Sequence, residues 1–132
     1  MRREVSLEEI SDGRLYGPND MVKADCQDCT GCWDCCLGMG ESIVLDPLDV
    51  HRLCMNLKKS MEELLSREIS LGVMDGNILP YLNMTGKDER CVFLNQEGRC
   101  AIHPFRPGIC RLFPLGRFYE NNSYQYFLQV HE

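Results

Sequence analysis

Apolar residues recur at helical spacing shortly before the middle of the chain. Positions i, i+3, i+4 and i+7 of one helix face are occupied by Val50, Leu53, Cys54 and Leu57. This pattern predicts a helix from about Pro47 to Lys59. Asp46 and Pro47 are residue types favoured at the N-cap and at the first helical position, so the helix is expected to begin there.

A second helix is predicted directly after the first. Ser60 and Glu63 have the spacing of a capping box, in which two side chains bond the backbone N–H groups at the start of a helix. Leu64, Leu65 and Ile69 follow as apolar positions, and the helix is expected to stop before Gly72. Two helices joined this closely predict a helical hairpin.

The remaining apolar pattern predicts short strands. The segment from Ile78 to Met84 is predicted as a strand at the edge of its sheet, because Pro80 lacks a backbone N–H. The segment from Cys91 to Ile102 is expected to form a β-hairpin with a cysteine on each arm. Residues 116–130 predict another hairpin.

Irregular segments connect these elements. Residues 1–25 are interpreted as an arm with turns, and residues 26–40, which are rich in cysteine and glycine, as a loop wrapped around a bound centre. Gly108 to Leu112 predicts a single helical turn. Together the elements predict an α+β fold, a small single domain over residues 1–132 with a cysteine-rich metal-binding loop, a helical hairpin and short β-hairpins.

Composition is that of a globular protein apart from nine cysteines. Of 132 residues, 44% are apolar and 26% are charged, which excludes disordered and fibrous classes. The net charge of −6 disfavours nucleic acid as a partner. Acidic residues interrupt the N-terminal segment where a signal peptide needs an apolar run, and no stretch reaches the length of a membrane span. We therefore expect a cytoplasmic protein with no membrane partner.

Five cysteines lie close together in the early loop. They are Cys26, Cys29, Cys32, Cys35 and Cys36. Cys-x-x-Cys spacing lets two sulfurs turn inward from one tight loop, and thiolate sulfur selects zinc, copper(I) or iron–sulfur clusters. In a reducing compartment clustered cysteines are more often ligands than disulfides, so the loop predicts a metal site.

Three later cysteines complete the predicted ligand set. They are Cys91, Cys100 and Cys110. Eight candidate ligands suffice for two four-ligand sites or for one site with spare thiols, and the spacing leaves both open. The adjacent Cys35 and Cys36 are expected to point in different directions. Cys54 lies on the apolar stripe of its helix and is predicted to be an ordinary buried thiol.

Other side chains near these cysteines are candidates for supporting roles. Arg106 and Arg111 lie close to Cys110 in sequence, where guanidinium donors can neutralise a thiolate-rich centre and tune its potential. Trp33 lies between two candidate ligands and is expected to shield the site from water. No catalytic residue is assigned.

The cysteine motifs resemble those of the CxxCxxCC (YkgJ-type) cysteine cluster family, described as zinc- or iron-chelating domains. The matching motifs run in order over residues 26–114 and are Cys29-x-x-Cys32-x-x-Cys35-Cys36, Cys91-x-Phe93-Leu94, Gly98-x-Cys100-x-Ile102 and Arg106-Pro107-x-x-Cys110-Arg111-x-Phe113-Pro114. The resemblance implies a ligand set of Cys29, Cys32, Cys35, Cys36, Cys91, Cys100 and Cys110. Cys26 lies outside the named motif.

Three functions remain open from the sequence. The first is an iron–sulfur centre, favoured over zinc, in electron transfer or as an accessory to a modification reaction, with a protein redox or modification partner. The second is a zinc-stapled protein-interaction module without catalysis. The third, implied only by longer relatives that look like flagellin lysine N-methylases, is part of a protein-lysine N-methylase-like system. Whether the chain is an enzyme is left open.

Overall fold

The structure is a computed structural model that describes residues 6–24 and 32–129. Contacts divide the chain into two compact units, and each is described by itself. The first unit holds residues 32–111 of the described chain, and the second holds residues 6–24 and 112–129. The prediction of a single domain over residues 1–132 stays a prediction.

The elements are mixed helices and short strands, as the sequence predicted. The helices are α1 (Leu7–Ile10), α2 (Pro47–Leu57), α3 (Met61–Leu65) and α4 (Gly108–Leu112), with 3₁₀ turns at Asp34–Cys36 and His103–Phe105. The strands are β1 (Ile69–Met74), β2 (Asn77–Leu82), β3 (Met84–Thr85), β4 (Arg90–Cys91), β5 (Leu115–Glu120) and β6 (Ser123–Leu128). They form the antiparallel pairs β1–β2, β3–β4 and β5–β6. The α+β fold class is therefore confirmed.

Helix α2 begins where the sequence predicted. The Asp46 side chain accepts a hydrogen bond from the backbone N–H of Asp49 at 2.7 Å, and the Asp49 side chain accepts one from the N–H of Asp46 at 3.1 Å. This reciprocal capping box satisfies two N–H groups that the helix itself leaves unpaired. The helix ends at Leu57, because Lys58 adopts a left-handed conformation with φ of 55°.

Helix α3 shows only the Ser60 half of the predicted capping box, and it ends earlier than predicted. The Ser60 side chain accepts from the backbone N–H of Glu63 at 3.2 Å, and the helix stops at Leu65. The expectation that it continues to carry Ile69 is wrong, because Ile69 opens β1 and pairs with Leu82 of β2. Pairing along the whole hairpin supplies the hydrogen bonds and apolar contacts that favour the strand over a longer helix.

A tight turn joins β1 and β2. Asp75 and Gly76 both have positive φ, 51° and 80°, as a two-residue type I′ hairpin turn requires. The strand predicted over residues 78–84 is observed as β2, at Asn77–Leu82. Pro80 pairs with Leu71 of β1, but the other side of β2 is not a free edge as predicted, because the Pro80 carbonyl accepts from the N–H of Leu45 at 2.9 Å beside a bridge between Val44 and Tyr81.

The predicted hairpin from Cys91 to Ile102 forms only in part. Cys91 ends β4, which pairs with β3, and the second arm contributes a single bridge between Leu94 and Cys100. The intervening loop closes through the N–H of Asn95, which donates to the carbonyl of Arg99 at 2.9 Å. Both cysteines nevertheless stay on facing segments.

The core of the first unit lies between α2, α3 and the β1–β2 hairpin. Its most buried apolar residues, each at most 2% exposed, are Ile43, Leu45, Leu53, Leu64, Ile69, Leu82 and Ile102. Cys36 and Cys91 belong to the same cluster, and Cys35, Cys100 and Cys110 pack against it. The candidate ligands are therefore continuous with the hydrophobic core.

The second unit is built on the C-terminal hairpin. β5 and β6 pair around Asn121 and Asn122, both with positive φ, which confirms the predicted hairpin as far as the described residues extend. Residues 6–24 add the short helix α1 and two bridges to this hairpin. Among the described residues, none of the helices has the length and apolar character needed to cross a membrane.

Candidate metal centre

One small cavity of the first unit brings together every described candidate ligand. Its sulfur-bearing lining consists of Cys32, Cys35, Cys36, Cys91, Cys100 and Cys110. The enclosed space is about 20 Å³, about the size of one water-sized sphere. Cys26 and Cys29 lie outside the described residues. Segments far apart in sequence therefore converge as the predicted site requires.

Different elements carry the converging cysteines. Cys35 and Cys36 lie in the 3₁₀ turn, where the N–H of Cys36 donates to the carbonyl of Trp33 at 2.8 Å. Cys91 is fixed by the β3–β4 pair and Cys100 by its bridge to Leu94. Cys110 lies in α4, and all these positions are held by backbone hydrogen bonds.

Cys35 and Cys36 face the same cavity. Their Sγ atoms lie 3.9 Å apart, so the expectation that they point in different directions is wrong. The reason is local, because a 3₁₀ turn does not alternate successive side chains between two faces as a strand does. Two sulfurs bound at ~2.3 Å to one tetrahedral ion lie ~3.8 Å apart, so this pair matches two ligands of one ion.

The environment moves the thiol pKa values in both directions. A hydrogen bond with Cys36, supported by the Arg106 guanidinium, lowers the pKa of Cys35 to about 7. The same hydrogen bond, together with burial, raises the pKa of Cys36. Burial is also the main cause that raises the pKa of Cys91, Cys100 and Cys110. Cys35 is thus partly deprotonated near neutral pH, whereas the thiols with a raised pKa must give up a proton to bind metal.

The two predicted arginines lie in different environments. Arg106 is half-buried, lines the cavity, and donates from Nε to the carbonyl of His103 at 3.1 Å. Its positive charge helps to lower the pKa of Cys35 and opposes the rise in pKa that burial causes at Cys100 and Cys110. Arg111 is exposed and does not line the cavity, so its role at the centre stays a prediction.

Cys54 and Trp33 do not line the cysteine cavity. Cys54 is half-buried on α2 and packs against the core without lining the cavity, which fits its prediction as an ordinary thiol. Trp33 is 43% exposed and lines a separate cleft, so the expectation that it shields the cysteines is not confirmed. All seven described cysteines are free thiols, which excludes disulfides among them.

The cysteine sulfurs line one cavity but do not have the arrangement of ligands around a bound metal ion. Within residues 6–24 and 32–129, no three His, Cys, Asp or Glu side chains are arranged so that they already hold a metal ion.

Comparison with known proteins identifies the family. Residues 28–129 match the sequence model of CxxCxxCC, described as "Putative zinc- or iron-chelating domain". The chain belongs to this family. The matched region extends past residue 114, where the sequence motifs end, and includes the C-terminal hairpin. Neither the search of curated proteins nor that of solved structures found a match.

The residues around the cavity fit the metals that the family description names. Zinc and iron both accept thiolate ligands, and the lining offers six of them. The sulfurs lie against buried apolar walls formed by Ile43, Leu82, Ile102 and Pro107. Thiolates bring excess negative charge to such a centre, and the guanidinium of Arg106 at the cavity wall offsets part of it.

Asp49 is a supporting residue that the sequence analysis missed. Asp49 as a whole is 5% exposed, and its carboxylate, besides capping α2, accepts a hydrogen bond from the backbone N–H of Gly108 at 3.0 Å. Gly108 opens α4, so Asp49 joins the start of α2 to the turn that carries Cys110. An acidic residue at the third position of a helix indicates a capping box. The second hydrogen-bond partner of Asp49 is Gly108, 59 residues away, and a contact at that distance leaves no local signal in the sequence.

Proposed function

We propose that this chain is a metal-stapled protein-interaction module, in which zinc bound by cysteines of the described cavity joins the early loop to the segments around Cys100 and Cys110. The observation that carries the proposal is the convergence of six thiols on one ion-sized space. Closed, all-thiolate zinc sites are the structural type, whereas catalytic sites keep an open position for water or substrate.

The distance between the sulfurs of Cys35 and Cys36 supports metal ions that are bound directly by cysteine thiolates. Each iron of a cubane cluster takes one cysteine, whereas this pair has the separation of two ligands on one ion. Six thiols exceed the four that one tetrahedral ion takes, so two thiols of the lining remain beside the ion without binding it.

An iron–sulfur centre in electron transfer is the second candidate. It is favoured by the successive Cys-x-x-Cys spacings at Cys29, Cys32 and Cys35, which resemble those of cubane-binding loops. The apolar walls and Arg106 would set the potential of such a centre. Participation in a protein-lysine N-methylase-like system, and a cytoplasmic location, stay predictions from the sequence.

Anaerobic purification followed by a metal count, a sulfide assay and an absorption spectrum tests the proposal. The zinc staple predicts bound zinc, no acid-labile sulfide and no visible absorption. Removing the metal with a chelator should unfold the first unit, because metal binding and folding are coupled in sites of this kind. A brown protein that contains iron and acid-labile sulfide would overturn the staple and establish the second candidate.

A further inference from the structure

A second, larger cleft of the first unit lies beside the cysteine cavity. Its volume is about 610 Å³, within the range of pockets that bind small molecules or side chains. The lining includes Trp33, Leu37, Asp88, Leu94 and Glu97. Leu94 lines the cysteine cavity too, so the two spaces share a wall.

An aromatic ring supported by glycine backbone forms one side of the cleft. A Cβ atom on Gly98 would lie 3.3 Å from two ring carbons of Trp33, so the ring packs directly on this residue. Gly98 has φ of 74°, a conformation that glycine adopts without strain. Trp33 is nevertheless 43% exposed and lines the cleft, and indole is the aromatic ring that attracts cations best.

The charges around the cleft favour a cationic occupant. Asp88 and Glu97 are exposed and contribute two carboxylates. Arg90 contributes one guanidinium, and its Nη2 donates to the carbonyl of Asn95 at 2.9 Å. Carboxylates therefore outnumber cations in the lining.

Backbone hydrogen bonds hold the two walls in place. The N–H of Gly38 donates to the carbonyl of Glu89 at 2.9 Å, beside a bridge between Leu37 and Arg90. On the other wall, Oδ1 of Asn95 accepts from the N–H groups of Glu97 and Arg99 at 3.0 and 2.9 Å. A wall fixed in this way loses little conformational freedom when an occupant binds.

We propose that this cleft binds a lysine or arginine side chain of a partner protein. The aliphatic stem of that side chain would pack on Leu37 and Leu94. Its cationic end would lie over the Trp33 ring, within reach of Asp88 and Glu97. The proposal rests on the proposed function in one respect, that the chain is an interaction module, and it supplies the chemistry of the partner.

The test follows the indole N–H resonance of Trp33, the single tryptophan, in the metal-loaded full chain. The probe is a short glycine–serine peptide with one central lysine, and matched peptides carry norleucine or glutamate at that position. We expect a saturable shift with the lysine peptide and about tenfold weaker binding of the norleucine peptide. The glutamate peptide should bind more weakly still.

Charge-neutral variants show whether the carboxylates select the cation. Asp88→Asn combined with Glu97→Gln should weaken lysine-peptide binding about fivefold without moving the norleucine result. Glu120→Gln, an exposed carboxylate of the second unit, is the matched control and should change nothing. Equal or tighter binding of the norleucine or glutamate peptide would overturn the proposal, as would binding unaffected by the double variant.

Metal content and circular dichroism of each sample separate the two proposals. A fully metallated, folded protein that gives no saturable shift overturns the cleft and leaves the staple standing. A protein that binds the lysine peptide yet contains an iron–sulfur cluster overturns the zinc staple and leaves the cleft standing.

Discussion

Replacing Asp49 by alanine should break the connection between α2 and the turn that carries Cys110. The carboxylate accepts two backbone hydrogen bonds, from Asp46 at 3.1 Å and from Gly108 at 3.0 Å. Because Asp49 is only 5% exposed, water cannot fully replace its carboxylate at these N–H groups. The substitution therefore leaves two poorly solvated donors without their acceptor.

The size of the effect follows from those two bonds. A hydrogen bond to a charged group contributes about 1.5–3 kcal/mol net, so the loss of both should lower the free energy of unfolding by about 3–6 kcal/mol. A domain of this kind has a total of about 5–15 kcal/mol. Asp49→Asn keeps one carbonyl acceptor and should cost about 1–2 kcal/mol. Asp46→Ala, which removes only the N-cap side chain, should cost about 1 kcal/mol.

Urea unfolding of the metal-loaded protein, followed by far-ultraviolet circular dichroism, measures these changes. The metal concentration must be the same for every variant, because bound metal adds to the measured stability. Metal content after dialysis gives a second readout, and Asp49→Ala should retain less metal than Asp46→Ala. An Asp49→Ala protein within about 0.5 kcal/mol of the parent, or less perturbed than Asp46→Ala, would refute the reasoning.

Further predictions concern the ligands, pH and the glycine beneath the indole. Cys32→Ala or Cys110→Ala should lose metal and soluble fold together. Cys54→Ala should lower the free energy of unfolding by about 1 kcal/mol and leave the metal content unchanged. A folded, fully metallated Cys110→Ala protein would contradict the ligand set. Because burial raises the pKa of most cavity thiols, protons compete with metal, and zinc affinity measured with a chromophoric competitor should fall from about pH 8 to about pH 6. An affinity that stays flat over this range would be inconsistent with protonated thiols. Gly98→Ala should lower stability by about 1 kcal/mol or more and shift the Trp33 indole resonance, because the added Cβ meets the ring; an unchanged melting temperature would contradict that contact.

Local sequence signals were sufficient for the elements whose boundaries depend on neighbouring residues. The apolar face of α2 and the Asp46–Pro47 start placed that helix correctly, and the asparagine turn placed the C-terminal hairpin. Such signals work because caps and two-residue turns are closed by hydrogen bonds between residues close in sequence. The cysteine motifs likewise indicated the family to which the chain belongs.

Contacts between distant residues decided the rest. Ile69 fits a helix by its i, i+4 spacing from Leu65, and only its pairing with Leu82 makes it part of a strand. The 3₁₀ turn brings the sulfurs of Cys35 and Cys36 to one cavity. The hydrogen bond from the N–H of Gly108 to Asp49 connects α2 to the turn that carries Cys110. The sequence by itself determined which sulfurs were available for a soft metal. Only the tertiary structure decided which of them meet. Their convergence depends on packing between segments that are far apart in the chain, and the sequence of one segment does not indicate which other segment it contacts.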